Sequence, residues 1–253
     1  VFDGGHFYDV EVEYAKEGPE DIGIRIHVSN RSSDRAGTLW LLPTLWFRNT
    51  WSWQAPDQAP PRPQLRWQSE VAGRTQIRAA FNDPAVVQEW GCQPVYTLAA
   101  DAADRVLVTD NESNREALHW GANSQPYVKD AFHKVVVHGE EGAVNPAGIG
   151  TKAAPLYRLT LQPGETRTVR LRLRGHGDNV EPFAAGSDPL GADLDALMAQ
   201  RRQEADDFYA CITPLQFLSD DQRNIQRQAF AGLLWSKQFY HLVIKDWLDG
   251  DAQ

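Results

Sequence analysis

Between Tyr8 and Arg174 the chain is built of short runs that alternate apolar with polar side chains, and after Gly175 that period disappears. Successive side chains of a β-strand point to opposite faces, so period-two alternation marks strands with one face on a core. Residues 8–14 alternate Tyr8, Val10, Val12 and Tyr14 with Asp9, Glu11 and Glu13. Residues 22–28 repeat the pattern with Ile22, Ile24, Ile26 and Val28, and end in a polar turn cluster at 29–34. Residues 38–47 are more continuously apolar, as expected of a strand covered on both faces. Further strands are expected at 64–70, 75–81, 105–109, 127–137, 156–161 and 166–174. In the last, Val169, Leu171 and Leu173 face one way and Arg170, Arg172 and Arg174 the other. Gln162-Pro163-Gly164-Glu165 reads as a turn joining a hairpin. Nine such runs without intervening helical periods point to a mainly β fold, an antiparallel β-sandwich spanning residues 1–175. No short internal repeat suggests a propeller or solenoid.

Residues 176–189, rich in Gly, Asp and Pro, read as a linker, and two helices are expected over 190–253. In the first, Leu190, Leu194, Leu197, Met198, Ala205, Phe208, Tyr209 and Ile212 recur at three and four residues, and Pro214 ends it. The second opens on Ser219-Asp220-Asp221-Gln222, a capping box with acidic residues at the positive end of the helix dipole. It is expected to run to about residue 243. Ile225, Ala229, Leu233 and Tyr240 form one stripe, and Phe230, Leu234, Trp235 and Phe239 widen it beyond a single core-facing side. A helix this apolar wants neighbours on more than one side, which suggests a chain cut from a longer product or a partner that covers this surface. The alternative is that the helix lies in the sandwich's own groove.

Composition excludes several functions. With 34 acidic against 25 basic side chains the net charge is -9, and no Lys/Arg stripe suits a run of phosphates, so no nucleic-acid partner is expected. Nine Trp, ten Phe and seven Tyr exclude a disordered chain. No stretch approaches a membrane span, and the N-terminal residues resemble no signal peptide, so no membrane role is expected and a cytoplasmic location is favoured. Cys92 and Cys211 fit no metal-ligand spacing and read as buried small hydrophobes, with one long-range disulfide as the alternative. The seven His occur singly, and His133 and His138 on one strand would face opposite sides, so no metal and no cofactor are expected. No GxSxG, Walker loop, HExxH or dinucleotide fingerprint is present.

Leu42-Pro43-Thr44-Leu45-Trp46-Phe47-Arg48-Asn49-Thr50-Trp51-Ser52-Trp53 is similar to a segment of bacterial members of glycoside hydrolase family 63, the relatives of processing α-glucosidase I. Residues 7–16, 126–130, 150–154 with 157–159, and 227–241 (Arg-Gln-Ala-Phe-Ala-Gly-Leu-Leu-Trp-Ser-Lys-Gln-Phe-Tyr-His) resemble the same proteins in the same order. The resemblance implies an N-terminal super-sandwich, a helical linker and then an (α/α)6 barrel, of which this chain would hold the sandwich, the linker and the first barrel helix. Phe230, Leu234, Trp235, Phe239 and Tyr240 would then pack on the missing barrel. The family's catalytic acid and base sit in that barrel and match no position here. The chain alone is therefore expected to be an inactive, non-catalytic portion of an inverting, exo-acting α-glycosidase. Its role would be to support the barrel and shape the entrance for an oligosaccharide or glucoside substrate.

The residues themselves agree that no complete hydrolytic site is visible, because acidic pairs such as Asp206-Asp207 and Asp220-Asp221 are adjacent on helices and point apart. The candidates for substrate binding, or for the interface with the barrel, are Arg48, Asn49, Trp51 and Trp53 on an aromatic loop, with Lys129, Asp130 and Lys152 on apolar strand ends. Trp51 and Trp53 share a face if extended, which serves either stacking on a sugar or the packing of the loop itself. A stand-alone carbohydrate-binding module and a docking domain using the apolar C-terminal helix are the alternatives from other classes.

Overall fold

A computed structural model describes residues 5–52, 59–71, 73–183, 187–212, 218–237 and 242–250. The polypeptide is mainly antiparallel β. A seven-stranded sheet has the order β1-β2-β11-β7-β6-β5-β9, formed by Tyr8–Gly18, Asp21–Asn30, Thr166–His176, Val95–Asp101, Arg74–Ala80, Gln64–Val71 and Ile149–Gly150. The second sheet is organised around β10 (Lys152–Leu161). One edge of β10 pairs with β3 (Gly37–Leu41) and β4 (Leu45–Trp46), and β8 (Arg105–Thr109) also pairs with it.

Alternation determines what lies between the sheets. Ile26 and Val28 of β2, Leu65 of β5, Ile77 and Ala79 of β6, Leu98 and Ala100 of β7, and Val169 and Leu171 of β11 form one apolar cluster with Val108, Ala153, Tyr157 and Leu161 of the second sheet. Burying such side chains supplies about 1.5–3 kcal/mol each, which makes this shared face the main source of stability. Val10, Val12 and Tyr14 alternate as expected but stay exposed. They belong to the outermost strand of a seven-strand sheet that faces only four strands.

Several expectations need correction. The apolar run 38–47 is not one doubly covered strand: it breaks at Leu42-Pro43-Thr44, where proline has no N–H for the ladder, and its side chains alternate between half-buried and exposed. The stretch read as a strand at 127–137 contains α2 (Ala131–His138). Its buried residues Ala131, Phe132 and Val135 fall on one side of a 3.6-residue period, and Gly139 ends it at φ 70°. His133 and His138 are therefore helical neighbours with ring centroids 5.7 Å apart. The turn at 162–165 forms, with Gly164 at φ 72°, but β10 and β11 lie in different sheets, so it is an arch between layers and not a hairpin. Asn30 stitches the arch to β2 through Gly164 N–H···O and Asn30 N–H···O=C of Glu165, both 2.9 Å. Strand β7 and α1 (Pro84–Trp90) escaped the sequence reading, although Asp83 caps α1 and Pro84 opens it.

Two compact units divide at Met198/Ala199. In the first, the opening turns of α3 (Ala192–Ile212) lie on the outer face of the large sheet, where Leu190, Leu194, Leu197 and Met198 bury Ala15. Gly23 makes room for them, since a Cβ there would sit 2.4 Å from Leu194 Cδ1. On the same face Arg172, only 6% exposed, makes a two-pronged ion pair with Asp21 at 2.8 and 2.9 Å. The arginine side of β11 is thus partly covered.

In the second unit, the end of α3 meets α4 (Asp220–Trp235) through Arg227, which pairs with Asp206 and stacks 4.8 Å over the Tyr209 ring. The capping box is formed as expected, Ser219 Oγ accepting from Gln222 N–H at 3.2 Å and Gln222 Oε1 from Ser219 N–H at 2.9 Å. The helix ends at Trp235 instead of near residue 243; a separate turn of helix, α5, follows at Ile244–Asp249. Phe239 and Tyr240 lie outside the described residues. Cys92 is half-buried and Cys211 exposed, both as free thiols, so Cys211 is not the buried hydrophobe expected. Among the described residues no helix is long and apolar enough to cross a membrane.

Candidate functional site

Five of the seven candidate site residues, Asn49, Trp51, Lys129, Asp130 and Lys152, converge on one polar cluster at an end of the second sheet. Its hub, Glu112, was not singled out from the sequence. The Glu112 carboxylate is buried and accepts from Asn49 Nδ2 at 2.9 Å, Trp51 Nε1 at 2.7 Å and Arg62 at 2.9 Å. Arg62 also lies 3.5 Å from Asp110 and stacks 5.4 Å over the Trp51 ring. One guanidinium therefore holds two carboxylates and one indole.

The neighbouring strands fix this arrangement. Gly150 runs so close to β8 that a Cβ would lie 2.3 Å from the Thr109 carbonyl oxygen, so only glycine fits there. The close approach puts Thr151 N–H on Thr109 O at 3.0 Å, and lets Thr151 Oγ1 accept from Asn111 N–H at 2.8 Å while donating to Asp110 Oδ1 at 3.3 Å. Asn111 Nδ2 reaches Phe47 O at 2.9 Å, which ties the start of the aromatic loop to the same point. Burial pushes the Asp110 carboxyl above its ordinary range; Arg62 and Thr151 oppose that, and Glu112 adds to it.

Lys129, Asp130 and Lys152 form the adjoining half. Lys129 N–H donates to Glu112 O at 2.9 Å, and its own carbonyl accepts from Lys152 Nζ at 2.6 Å. Lys152 sits 4.4 Å over the Phe132 ring, and burial, aided by Lys129, pushes its ammonium below the ordinary lysine range against the pull of Asp130. Asp130 accepts from Asn114 Nδ2 at 2.8 Å, while its Oδ1 and the Arg62 Nε are buried without a hydrogen-bond partner among the described residues. Lys152 stands at a strand end as expected; Lys129 and Asp130 instead precede α2.

This geometry closes the aromatic loop instead of opening it. Trp51 is 6% exposed and its ring is covered by Arg62, so it offers no free platform to a sugar. The cleft beside it, lined by Arg48, Trp51, Phe81 and Trp90 among others, holds about 60 Å³ of water space, room for a few waters only. Trp53 lies outside the described residues. No group of three or more His, Cys, Asp or Glu that could hold a metal occurs among the described residues. These contacts fasten five chain segments to one another: the aromatic loop, Arg62, residues 110–114, Lys129–Asp130 and Gly150–Lys152.

On the helix, Phe230 is half-buried, whereas Leu234 and Trp235 are 63% and 86% exposed. Sequence reasoning missed Arg62, Asp110, Glu112 and Asn114. The turn-rich composition of 110–126 marks a loop, but no local period shows that Glu112 points inward.

No protein-family model matches this chain. A protein of Saccharomyces cerevisiae named "Uncharacterized protein YMR196W" is similar to it, 35% identical over 269 aligned residues that cover 97% of this chain and 24% of the yeast protein. The chain thus spans about a quarter of that relative's length.

Proposed function

We propose that this chain is the N-terminal, non-catalytic β-sandwich portion of a family-63-like glycoside hydrolase. In that reading it is a super-sandwich followed by the first helix of an (α/α)6 barrel, and it supports the barrel and shapes its substrate entrance. The observation that carries the proposal is the exposed apolar surface of α4: Ile225, Leu233, Leu234 and Trp235 are all at least 60% exposed on a helix with a well-formed cap. Large apolar side chains left exposed on several sides of one helix suit a surface that other elements cover. A barrel of paired helices would cover it with side chains of the same character. The length of the yeast relative, in which a region like this one makes up about a quarter, supports a setting beside further domains.

Two further features favour the scaffold role. Glu112 accepts from Asn49, Trp51 and Arg62, which ties the aromatic loop down, as suits a wall that must keep its shape. Arg62 holds both carboxylates, 3.5 Å from Asp110 and 2.9 Å from Glu112.

The test begins with the intact mass of the native product from its source cell, followed by assay of that product on α-glucosides and α-mannosides with the anomer of the released sugar read by NMR. A longer chain that hydrolyses an α-glycoside with inversion is the expected result. A native product ending near Gln253, or a longer one inert on these substrates, overturns the proposal. In the longer protein, Trp235→Ser should lower its melting temperature, because the indole would leave a filled interface.

A further inference from the structure

A different part of the fold has the open, mixed surface that the aromatic loop lacks. Leu65 and Trp67 share the core-facing side of β5, but Leu65 is sealed between the sheets and Trp67, two residues on, emerges with 44% of its surface exposed. It forms a wall of a groove whose other sides are the β7–β8 turn at Asp104 and Arg105 and the segment from Glu141 to Gly148. The groove holds about 380 Å³ of water space, within the roughly 300–1,000 Å³ typical of small-molecule sites. That is several times the cleft beside Trp51.

The walls are held in place. Trp67 N–H donates to Gly148 O at 3.0 Å, and Gly148, at φ 67°, lies against the indole, where an added Cβ would be 3.6 Å from the ring. Thr75 Oγ1 accepts from Ala103 N–H at 3.0 Å and fixes the β7–β8 turn. Arg158 N–H donates to Asp104 Oδ2 at 2.6 Å, orienting that carboxylate, and Arg105 pairs with Glu141 at 2.5 Å. Asn145 is committed locally, to Ile149 O at 2.6 Å and Ala147 N–H at 3.0 Å. The floor includes Val106 and Val144.

We propose that this groove between the sheets binds a neutral oligosaccharide, with a sugar ring stacked on Trp67 and hydroxyls bonded by Asp104 and by the Arg105–Glu141 pair. An indole offers a flat apolar face to the C–H side of a pyranose. Carboxylates accept hydroxyl protons, and the guanidinium donates to hydroxyl oxygens. With two carboxylates against one guanidinium the groove carries excess negative charge, which disfavours phosphates and other anions. The inference does not depend on the hydrolase reading: it concerns binding by this chain as it stands, whatever other domains accompany it.

The test is calorimetric titration of the chain with maltotetraose, cellotetraose and mannotetraose, and separately with choline. Saturable binding of at least one of the three sugars is expected. Trp67→Ala should weaken it about tenfold or more, as removal of a central aromatic anchor does. Trp67→Tyr, which keeps an aromatic face, should stay within about threefold of the parent, and this variant guards against simple misfolding of the alanine protein. Asp104→Asn should weaken binding severalfold. Trp40→Ala is the control, because Trp40 is comparably exposed but lies outside the groove, under Arg158 at 5.5 Å. The proposal is overturned if none of the three sugars binds, if Trp67→Ala and Trp40→Ala behave alike, or if choline alone binds through the negative rim. Failure here leaves the scaffold role of the chain untouched, since that role is read from the full-length product.

Discussion

Removing the Glu112 carboxylate should be among the most damaging single changes in the β unit. The side chain receives three donors from two segments, Asn49 and Trp51 on one and Arg62 on the other. In Glu112→Ala the Trp51 N–H is left buried without an acceptor, at a cost of about 1–3 kcal/mol. Asn49 keeps Asn111 O at 3.1 Å and loses less. Arg62 is one-third exposed, so water and Asp110 take over most of its charge, and its share must be discounted. Loss of the Trp51–Arg62 packing adds to this, and the total comes to about 3 kcal/mol. For a unit of this size that corresponds to a fall in Tm of about 6–12 °C. Glu112→Gln should cost less, about 1–1.5 kcal/mol, because its one oxygen can occupy the Oε1 position that serves both Trp51 and Arg62 while its amide faces only Asn49. Urea melts of the parent, both variants, Trp51→Phe and the double Glu112→Ala/Trp51→Phe would measure this. The cycle should give a coupling of about 1 kcal/mol or more between the indole N–H and the carboxylate. A loss below about 1 kcal/mol for the alanine variant would mean that water reaches these donors and that the aromatic loop is not closed over Glu112.

Gly23→Val should push α3 off the outer face of the large sheet, because even its Cβ meets Leu194 at 2.4 Å; amide exchange across residues 190–198 should rise, and unchanged protection would refute the contact. Gly150→Ala has only backbone to displace at Thr109 and should cost about 1–3 kcal/mol in a denaturant melt. Asp110 has a carboxyl raised by burial, so the folded state holds its proton more tightly than the unfolded chain. Its contribution is present in full below the unfolded pKa and is lost as pH rises through the folded value. Asp110→Asn should therefore gain on the parent as pH rises from the acid side, and a relative loss over that range would contradict the burial argument. Ser219→Ala should lower the stability of α4 by about 1 kcal/mol by deleting the cap, read as lost helical dichroism on heating.

Local features were legible because their causes are local. The alternation of Ile22 to Val28 and of Val169 to Leu173 follows from strand geometry alone, and both strands form. The capping box at Ser219 needs only four consecutive residues, and it forms as read. The errors arose where a local pattern fitted two periods. Residues 127–137 are apolar enough for a strand, but Phe132 and Val135 bury themselves as one side of a helix. Alternation likewise marked both arms around the Pro-Gly turn without saying whether the arms share a sheet.

From residue order alone it followed that residues 1–175 would be largely β, that a helical stretch would follow, and that α4 would carry more apolar surface than one core-facing side needs. The sequence also marked Asn49, Trp51, Lys129, Asp130 and Lys152 as worth following. The position of β11 between β2 and β7, the burial of Arg172 against Asp21, and the joining of the aromatic loop to Arg62 by Glu112 emerge only in the folded chain. It alone separated a closed Trp51 from an open Trp67. The physical reason is range: period and capping are set by neighbours a few residues away. Strand order, charge burial and the exposure of an indole depend on partners that lie tens of residues off in the chain, and those partners meet only once the sheets have closed on each other.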